Sequence, residues 1–400
     1  MKNLMHLFVA MLATLVMGCS NGNQNKQAVE VKRPLPQGAV EMDCQRHLVC
    51  QVMLRDSVPA RMIFDTGATH LLLDSTFYAH TFADGGNLRK AMVGGAGGGM
   101  ETVWLDASPW HYRVGEESQQ EDMAMIVNLR KIVGERVDGM FGMIFMRGKR
   151  VEFNYADGYL RPLPAQETIG DDYTRIPCQW LDESKTRILL PLVVTLEDGS
   201  VFEGRFLMDT GMPDAFALNR STAHQLKKEG HLADARGMSY AVGGIGGSRR
   251  DYVFKAAQID FGGHVIKGVR ATWSDNQQGS LASADYDGLV GNQLFDRFDV
   301  IIDFVDCVVY VRPNRNFDRP QPHDFGIALT PKADHWWVNA LLEGGNAQKA
   351  GLRQGDCIEQ INGVRITDPA AKNLYPLPQT LTFLVRRGDE LVEMVVESEL

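Results

Sequence analysis

Two identical triplets carry the residues best suited to chemistry: Asp65-Thr66-Gly67 and Asp209-Thr210-Gly211. Each follows three apolar residues, Met62-Ile63-Phe64 and Phe206-Leu207-Met208. Each aspartate therefore ends a buried strand where the chain turns, and glycine two positions on allows a sharp bend or a close approach of two backbones. A carboxylate is costly in such a place unless it is paired. If the two triplets meet about a pseudo-twofold axis, Asp65 and Asp209 come into contact, and two touching carboxylates cannot both ionise, so they share one proton. The ionised member can then take a proton from a water while the protonated member polarises a carbonyl under attack, and the roles exchange as the leaving group departs.

The surrounding sequence repeats in step with the triplets, which places them in two homologous halves, 38–165 and 172–315. Asp209 follows Asp65 by 144 residues. Gly94-Gly95-Ala96-Gly97-Gly98 recurs 149 residues later as Gly243-Gly244-Ile245-Gly246-Gly247. Asp138-Gly139-Met140-Phe141-Gly142 recurs at the same interval as Asp287-Gly288-Leu289-Val290-Gly291, and Val151–Tyr155 as Val300–Phe304.

Short β-branched and apolar runs bounded by Asp, Gly, Pro or Ser predict strands at Gln51–Leu54, Arg61–Phe64, Leu189–Leu196 and Val201–Met208. Glu197-Asp198-Gly199-Ser200 reads as a hairpin turn. After each triplet an apolar run ends at Asp74 or Asn219, and these are predicted to cap short helices containing Phe77 or Leu226. Glycine stands at 40 of 400 residues, above the ~7% of average usage, in keeping with a mainly β chain rich in turns.

The duplicated Asp-Thr-Gly pattern resembles the aspartic proteases, and more closely their retropepsin-like branch, over about residues 38–315. That resemblance implies two pseudo-twofold-related β-barrel halves and an endopeptidase acting by water attack, with Asp65 and Asp209 as catalytic residues. It implies that Thr66, Gly67, Thr210 and Gly211 support the active-site loops, the threonine hydroxyls reaching across the axis. Met140-Phe141-Gly142 and Leu289-Val290-Gly291 match the family's hydrophobic-hydrophobic-Gly triplets that brace those loops. The glycine runs fall where the family carries flaps, so Gly95, Ala96 and Gly97, with Gly244, Ile245 and Gly246, are the expected substrate-covering tips. Neither run is followed by Gly-Lys-Ser/Thr, so they do not read as phosphate cradles. The first triplet continues with Ala68-Thr69, as is common in the family, whereas the second continues with Met212-Pro213-Asp214. A thioether beside the dyad leaves open a catalytically silent peptide-binding protein of the same fold, and a scaffold built on an inert β-platform is a third reading. Intact aspartates in both halves favour the enzyme.

The polar stretch Asn314–His323 reads as a linker, and a new pattern begins at Phe325. Residues 350–363, Ala-Gly-Leu-Arg-Gln-Gly-Asp-Cys-Ile-Glu-Gln-Ile-Asn-Gly, resemble the centre of a bacterial PDZ domain. The resemblance covers about 322–400 and implies a small α+β domain that binds chain ends or extended peptides by strand addition. The loop Phe325-Gly326-Ile327-Ala328 is its expected carboxylate-binding element. The domain offers no catalytic group and reads as separable from the halves.

At the N-terminus, Lys2 precedes an apolar run from Leu7 to Met17 broken only by Thr14, the length of a signal-peptide core (expected over 1–18) and too short for a bilayer-spanning helix. Leu15-Val16-Met17-Gly18-Cys19 resembles a bacterial lipobox, which implies lipidation of Cys19, a tether over 19–37 and anchorage to a membrane on the exported side of the cell envelope; plain cleavage nearby and an uncleaved anchor stay open. The other five cysteines include no C-x-x-C, so no metal or cofactor is expected; Cys44 and Cys50 can be single thiols or a disulfide. A net charge of -9 without a long basic cluster argues against nucleic acid. The expected partners are a peptide or protein substrate, a peptide at the PDZ domain, and the membrane.

Overall fold

The computed structural model describes residues 34–82, 87–95, 97, 99–134, 136–368, 371 and 379–399. Cys19, the signal segment and most of the tether lie outside these residues, as do Ala96 and Gly98. The chain is mainly β: the longest helix among the described residues is the nine-residue Arg220–Lys228.

The sequence repeat is also a repeat of topology. In the first half Val58–Asp65 runs parallel to Gly139–Gly142, which is antiparallel to Leu71–Asp74. In the second half Val201–Met208 runs parallel to Gly288–Val290, which is antiparallel to Phe216–Leu218. The next neighbour is again parallel in both, Ala124–Val127 beside Leu71–Asp74 and His264–Ser274 beside Phe216–Leu218. Each aspartate-bearing strand is driven inward by its apolar run. Phe64 is fully buried against Phe141, Phe145 and Phe153, and Phe206 packs edge-on to Phe216. The helix starts are capped at the predicted residues: Asp74 accepts the Thr76 and Phe77 N–H groups and Asn219 accepts that of Thr222.

The halves are joined across their symmetry axis. Arg150–Asn154 pairs antiparallel with Phe298–Asp303, and Glu152 lies opposite Ile301, its own counterpart in the repeat. An antiparallel strand pair in which a residue faces its own repeat is twofold by construction. Through this pair, Phe298–Asp303 and Val308–Pro313 of the second half join the large sheet that also contains first-half strands.

Two hairpins project from the halves, Leu88–Gly94 with Met100–Asp106 and Arg236–Tyr240 with Arg249–Phe261. The second carries the C-terminal sheet. Trp336–Leu341 pairs with Cys357–Ile361 only at Trp336 and Trp337, and its continuation lies beside Arg236–Tyr240. Met238 bridges Leu342, the Glu343 N–H donates to the Gly237 carbonyl (2.9 Å), and the Asn339 side chain exchanges two hydrogen bonds with the Val242 backbone (2.9 and 2.8 Å). Met238, Val253, Ala340 and Leu342 are buried together at this seam. The C-terminal sheet keeps a buried core of its own and is in addition built onto the second hairpin. Cys44, Cys50, Cys178, Cys307 and Cys357 are free thiols.

Candidate active site

The two triplets meet. The Thr66 N–H donates to Thr210 Oγ1 and the Thr210 N–H donates to Thr66 Oγ1, both at 3.0 Å. Each hydroxyl in turn donates across the axis, Thr66 to the Met208 carbonyl (2.9 Å) and Thr210 to the Phe64 carbonyl (3.0 Å). Both threonines are buried, so these four bonds tie the strand ends together where water cannot compete for them.

Glycine is required at 211, and position 67 leaves little room for a larger residue. A Cβ on Gly211 would lie 2.4 Å from Asp65 Oδ2, and one on Gly67 3.2 Å from Asp209 Oδ1. The downstream triplets support the turns from beneath by the same logic. A Cβ on Gly142 would overlap the Asp65 carbonyl, and one on Gly291 would sit 2.4 Å from the Met212 carbonyl. The residues after them donate backbone N–H groups into the turns, Met143 to the Ala68 carbonyl and Asn292 to the Met212 carbonyl.

The Asp65 and Asp209 carboxyl groups face each other over Gly67, where a Cβ would lie 3.1 Å from Asp65 Oδ1 and 3.2 Å from Asp209 Oδ1. Burial raises the pKa of both, and for Asp209 the charge of Asp65 raises it further. Their backbone donors differ. Asp65 Oδ1 accepts the N–H of Gly67 (2.6 Å) and of Gly211 (3.2 Å), whereas Asp209 Oδ1 accepts that of Met212 (3.1 Å). With two backbone N–H donors on one oxygen, Asp65 is the ionised member and Asp209 holds the shared proton, within a pair that titrates as a unit. The Met212 side chain packs against a cluster that contains Leu207, Ala217, Leu281, Tyr286 and Leu289.

The expected tips touch each other. The Gly97 N–H donates to the Ile245 carbonyl at 2.9 Å, and the Gly246 N–H donates to Glu101 Oε2 at 3.3 Å. The Ile245 side chain packs among Ala68, Leu72, Val103 and Val127 of the first half. In the C-terminal loop, the Gly326 N–H already donates to Asp324 Oδ1 at 2.8 Å and its carbonyl accepts from Leu342. Of the four residues of that loop, Gly326 thus has both backbone groups bonded within the chain. Among the described residues no group of three or more His, Cys, Asp or Glu is placed to hold a metal ion.

Three residues near the dyad were not anticipated. Buried Asn292 donates Nδ2–H to the Thr210 carbonyl (2.7 Å) and to the Arg46 carbonyl (3.3 Å), and its Oδ1 accepts the Tyr155 hydroxyl (3.0 Å). His47 lies beside the Gly211 backbone; burial, with the charge of Arg46, lowers its pKa to about 3, so it is neutral. The signal for Asn292 was its asymmetry, since the first half has Met143 at the matching position. Arg46 and His47 carry no motif.

The comparisons with known proteins bear on the C-terminal part. Residues 337–397 match the PDZ domain family model. This segment is a PDZ domain. The match is narrower than the span 322–400 and leaves the 325–328 loop upstream of it. An aspartic proteinase from Irpex lacteus is structurally similar to 70% of this chain over 98% of its own, with 13% identity and a TM-score of 0.42. No curated protein matches the chain.

Proposed function

We propose that the chain is an aspartic endopeptidase of retropepsin-like design whose PDZ domain recruits extended peptides. The observation that carries the reading is the meeting of Asp65 and Asp209 at a twofold crossing held by the reciprocal Thr66 and Thr210 bonds. A binding protein gains nothing from two buried carboxyl groups that repel when ionised. In the cycle, Asp65 takes a proton from a water while Asp209 donates its proton to the peptide carbonyl oxygen. The hydrated carbonyl then collapses, the C–N bond breaks, and the departing amine takes a proton from the dyad. Water and one peptide bond become a carboxyl group and an amine. The tips at Gly97 and Ile245 open to admit the peptide and close over it.

Incubating the purified chain with a denatured protein in 18O-labelled water tests this. One labelled oxygen in each new carboxyl terminus, and blockade by a peptide isostere bearing a hydroxyl at the carbonyl position, are the expected results. Binding of the isostere without cleavage of any substrate replaces the enzyme with the silent peptide binder. The exported, membrane-anchored location belongs to the same proposal and rests on Leu7–Cys19. Incorporation of a labelled fatty acid that is lost in Cys19→Ser is the matching test.

A further inference from the structure

Just upstream of the matched PDZ segment, the strand Ile327–Pro331 ends the C-terminal sheet: it pairs with Trp336–Leu341, and among the described residues no strand lies on its other side. Its register fixes which backbone groups face outward. Leu329 lies opposite Val338. Val338 uses both of its backbone groups on the far side, its N–H donating to the Asp356 carbonyl and its carbonyl accepting from the Gly355 N–H, both at 2.9 Å. Leu329 and Val338 are thus a non-hydrogen-bonded antiparallel pair, in which the polar groups of each point away from the other. The hairpin turn gives the same phase: the Lys332 N–H donates to the His335 carbonyl, so Pro331–Trp336 is non-bonded and Leu329–Val338 follows two residues on. The Leu329 and Pro331 carbonyls therefore lie on the outer edge, where an added strand would bond.

That edge is occupied by the catalytic halves. Arg46 donates Nη1–H to the Leu329 carbonyl at 2.8 Å. The turn after the helix Leu129–Val133 closes on the next outward carbonyl, with a Cβ on Gly134 falling 3.0 Å from the Pro331 oxygen. We infer that the catalytic halves mask the peptide-accepting edge of the PDZ domain, with the Arg46 guanidinium standing in for the backbone donor of an added strand. Peptide addition along this edge and the arrangement seen here exclude one another.

The mask connects to the dyad from behind. The Arg46 carbonyl accepts from Asn292, which holds the Thr210 carbonyl of the second triplet. A peptide that displaces the Arg46 side chain acts on the short segment that steadies the second triplet. The masking rests on the PDZ domain accepting extended peptides and is independent of hydrolysis by the dyad.

The test uses the full chain carrying Asp65→Asn, so that probes stay intact, with and without Arg46→Met. Arg46 is exposed, and methionine keeps an apolar stem while removing the donors. A mixed pool of decapeptides with free carboxyl ends is passed over each immobilised protein, and retained peptide is measured by mass spectrometry. Backbone hydrogen exchange is followed in parallel. Arg46→Met is expected to retain at least tenfold more peptide, and bound peptide is expected to slow exchange over residues 327–330. Equal retention by both proteins, retention by neither, or retention without protection of 327–330 overturns the masking. Cleavage assays on the chain with Asp65 intact report on the dyad separately, so loss of one reading leaves the other standing.

Discussion

Identical triplets give the two aspartates unequal surroundings, because Asp65 collects the Gly67 and Gly211 amides on one oxygen. Asp65→Asn and Asp209→Asn are each expected to lower turnover by roughly 10²–10⁴-fold, the usual contribution of a positioned acid or base. Steady-state hydrolysis of a peptide measures this, and undiminished turnover in either variant ends the dyad reading. The same substitutions have a signed effect on stability. The folded-state pKa of both groups is raised by burial, so the pair's contribution is present at low pH and is lost as pH rises through the folded value. Asp209→Asn should therefore melt above the parent at pH 8, with the gap shrinking toward pH 4. For activity, neither Ala68 nor Met212 supplies a hydroxyl to the ionised carboxylate, which favours an optimum of roughly pH 4.5–7 over a strongly acidic one. Ala68→Ser should move the acid limb of the kcat/KM profile downward, because a hydrogen bond to the charged form favours it. A maximum near pH 2–3 for the unmodified chain would contradict this.

At the scale of elements, the crossing of the triplets and the meeting of the hairpin tips make separate predictions. Thr210→Val keeps the shape of the side chain but leaves the Thr66 N–H and the Phe64 carbonyl without their partners. Each buried group so orphaned costs about 1–3 kcal/mol, which denaturant unfolding will register. At the tips, a Cβ on Gly97 would fall 2.6 Å from the Ile245 carbonyl oxygen. Gly97→Val is expected to hold the hairpins apart and to raise KM roughly tenfold, the equivalent of about 1.4 kcal/mol, while the melting temperature stays near the parent's. A change in melting temperature with KM intact would assign Gly97 to folding instead of closure.

For the whole molecule, the PDZ domain is part of the machinery that carries the second hairpin. Its strand continues beside Arg236–Tyr240 and shares the buried residues Met238, Val253, Ala340 and Leu342. Arg270 of the second half pairs with Asp324 at the domain entrance. Removal of residues from 322 onward is therefore expected to lower the melting temperature and to raise KM even for a short peptide. From the sequence alone, only long substrates would be affected. Cleavage of both substrate lengths by the truncated chain decides between a seam that steadies the hairpin and a simple tether.

What the sequence determined by itself was local or periodic. Three apolar residues before each Asp-Thr-Gly, two downstream apolar-Gly triplets and a repeat interval are enough to place Asp65 and Asp209 at matching strand ends, and Asp74 and Asn219 at helix starts. Only the tertiary structure decided which groups surround them. Arg46 and His47 reach the dyad loop from outside every repeated motif, so no pattern marks them, and Asn292 differs from its repeat counterpart Met143 without its spacing saying what it would touch. The unequal proton affinity of two identical triplets also arises there, since hydrogen-bond donors and desolvation come from across the axis. The docking of the PDZ strand on the second hairpin was invisible for the same reason. Strand edges pair through backbone groups that every residue carries, so side-chain spacing does not reveal which edge meets which.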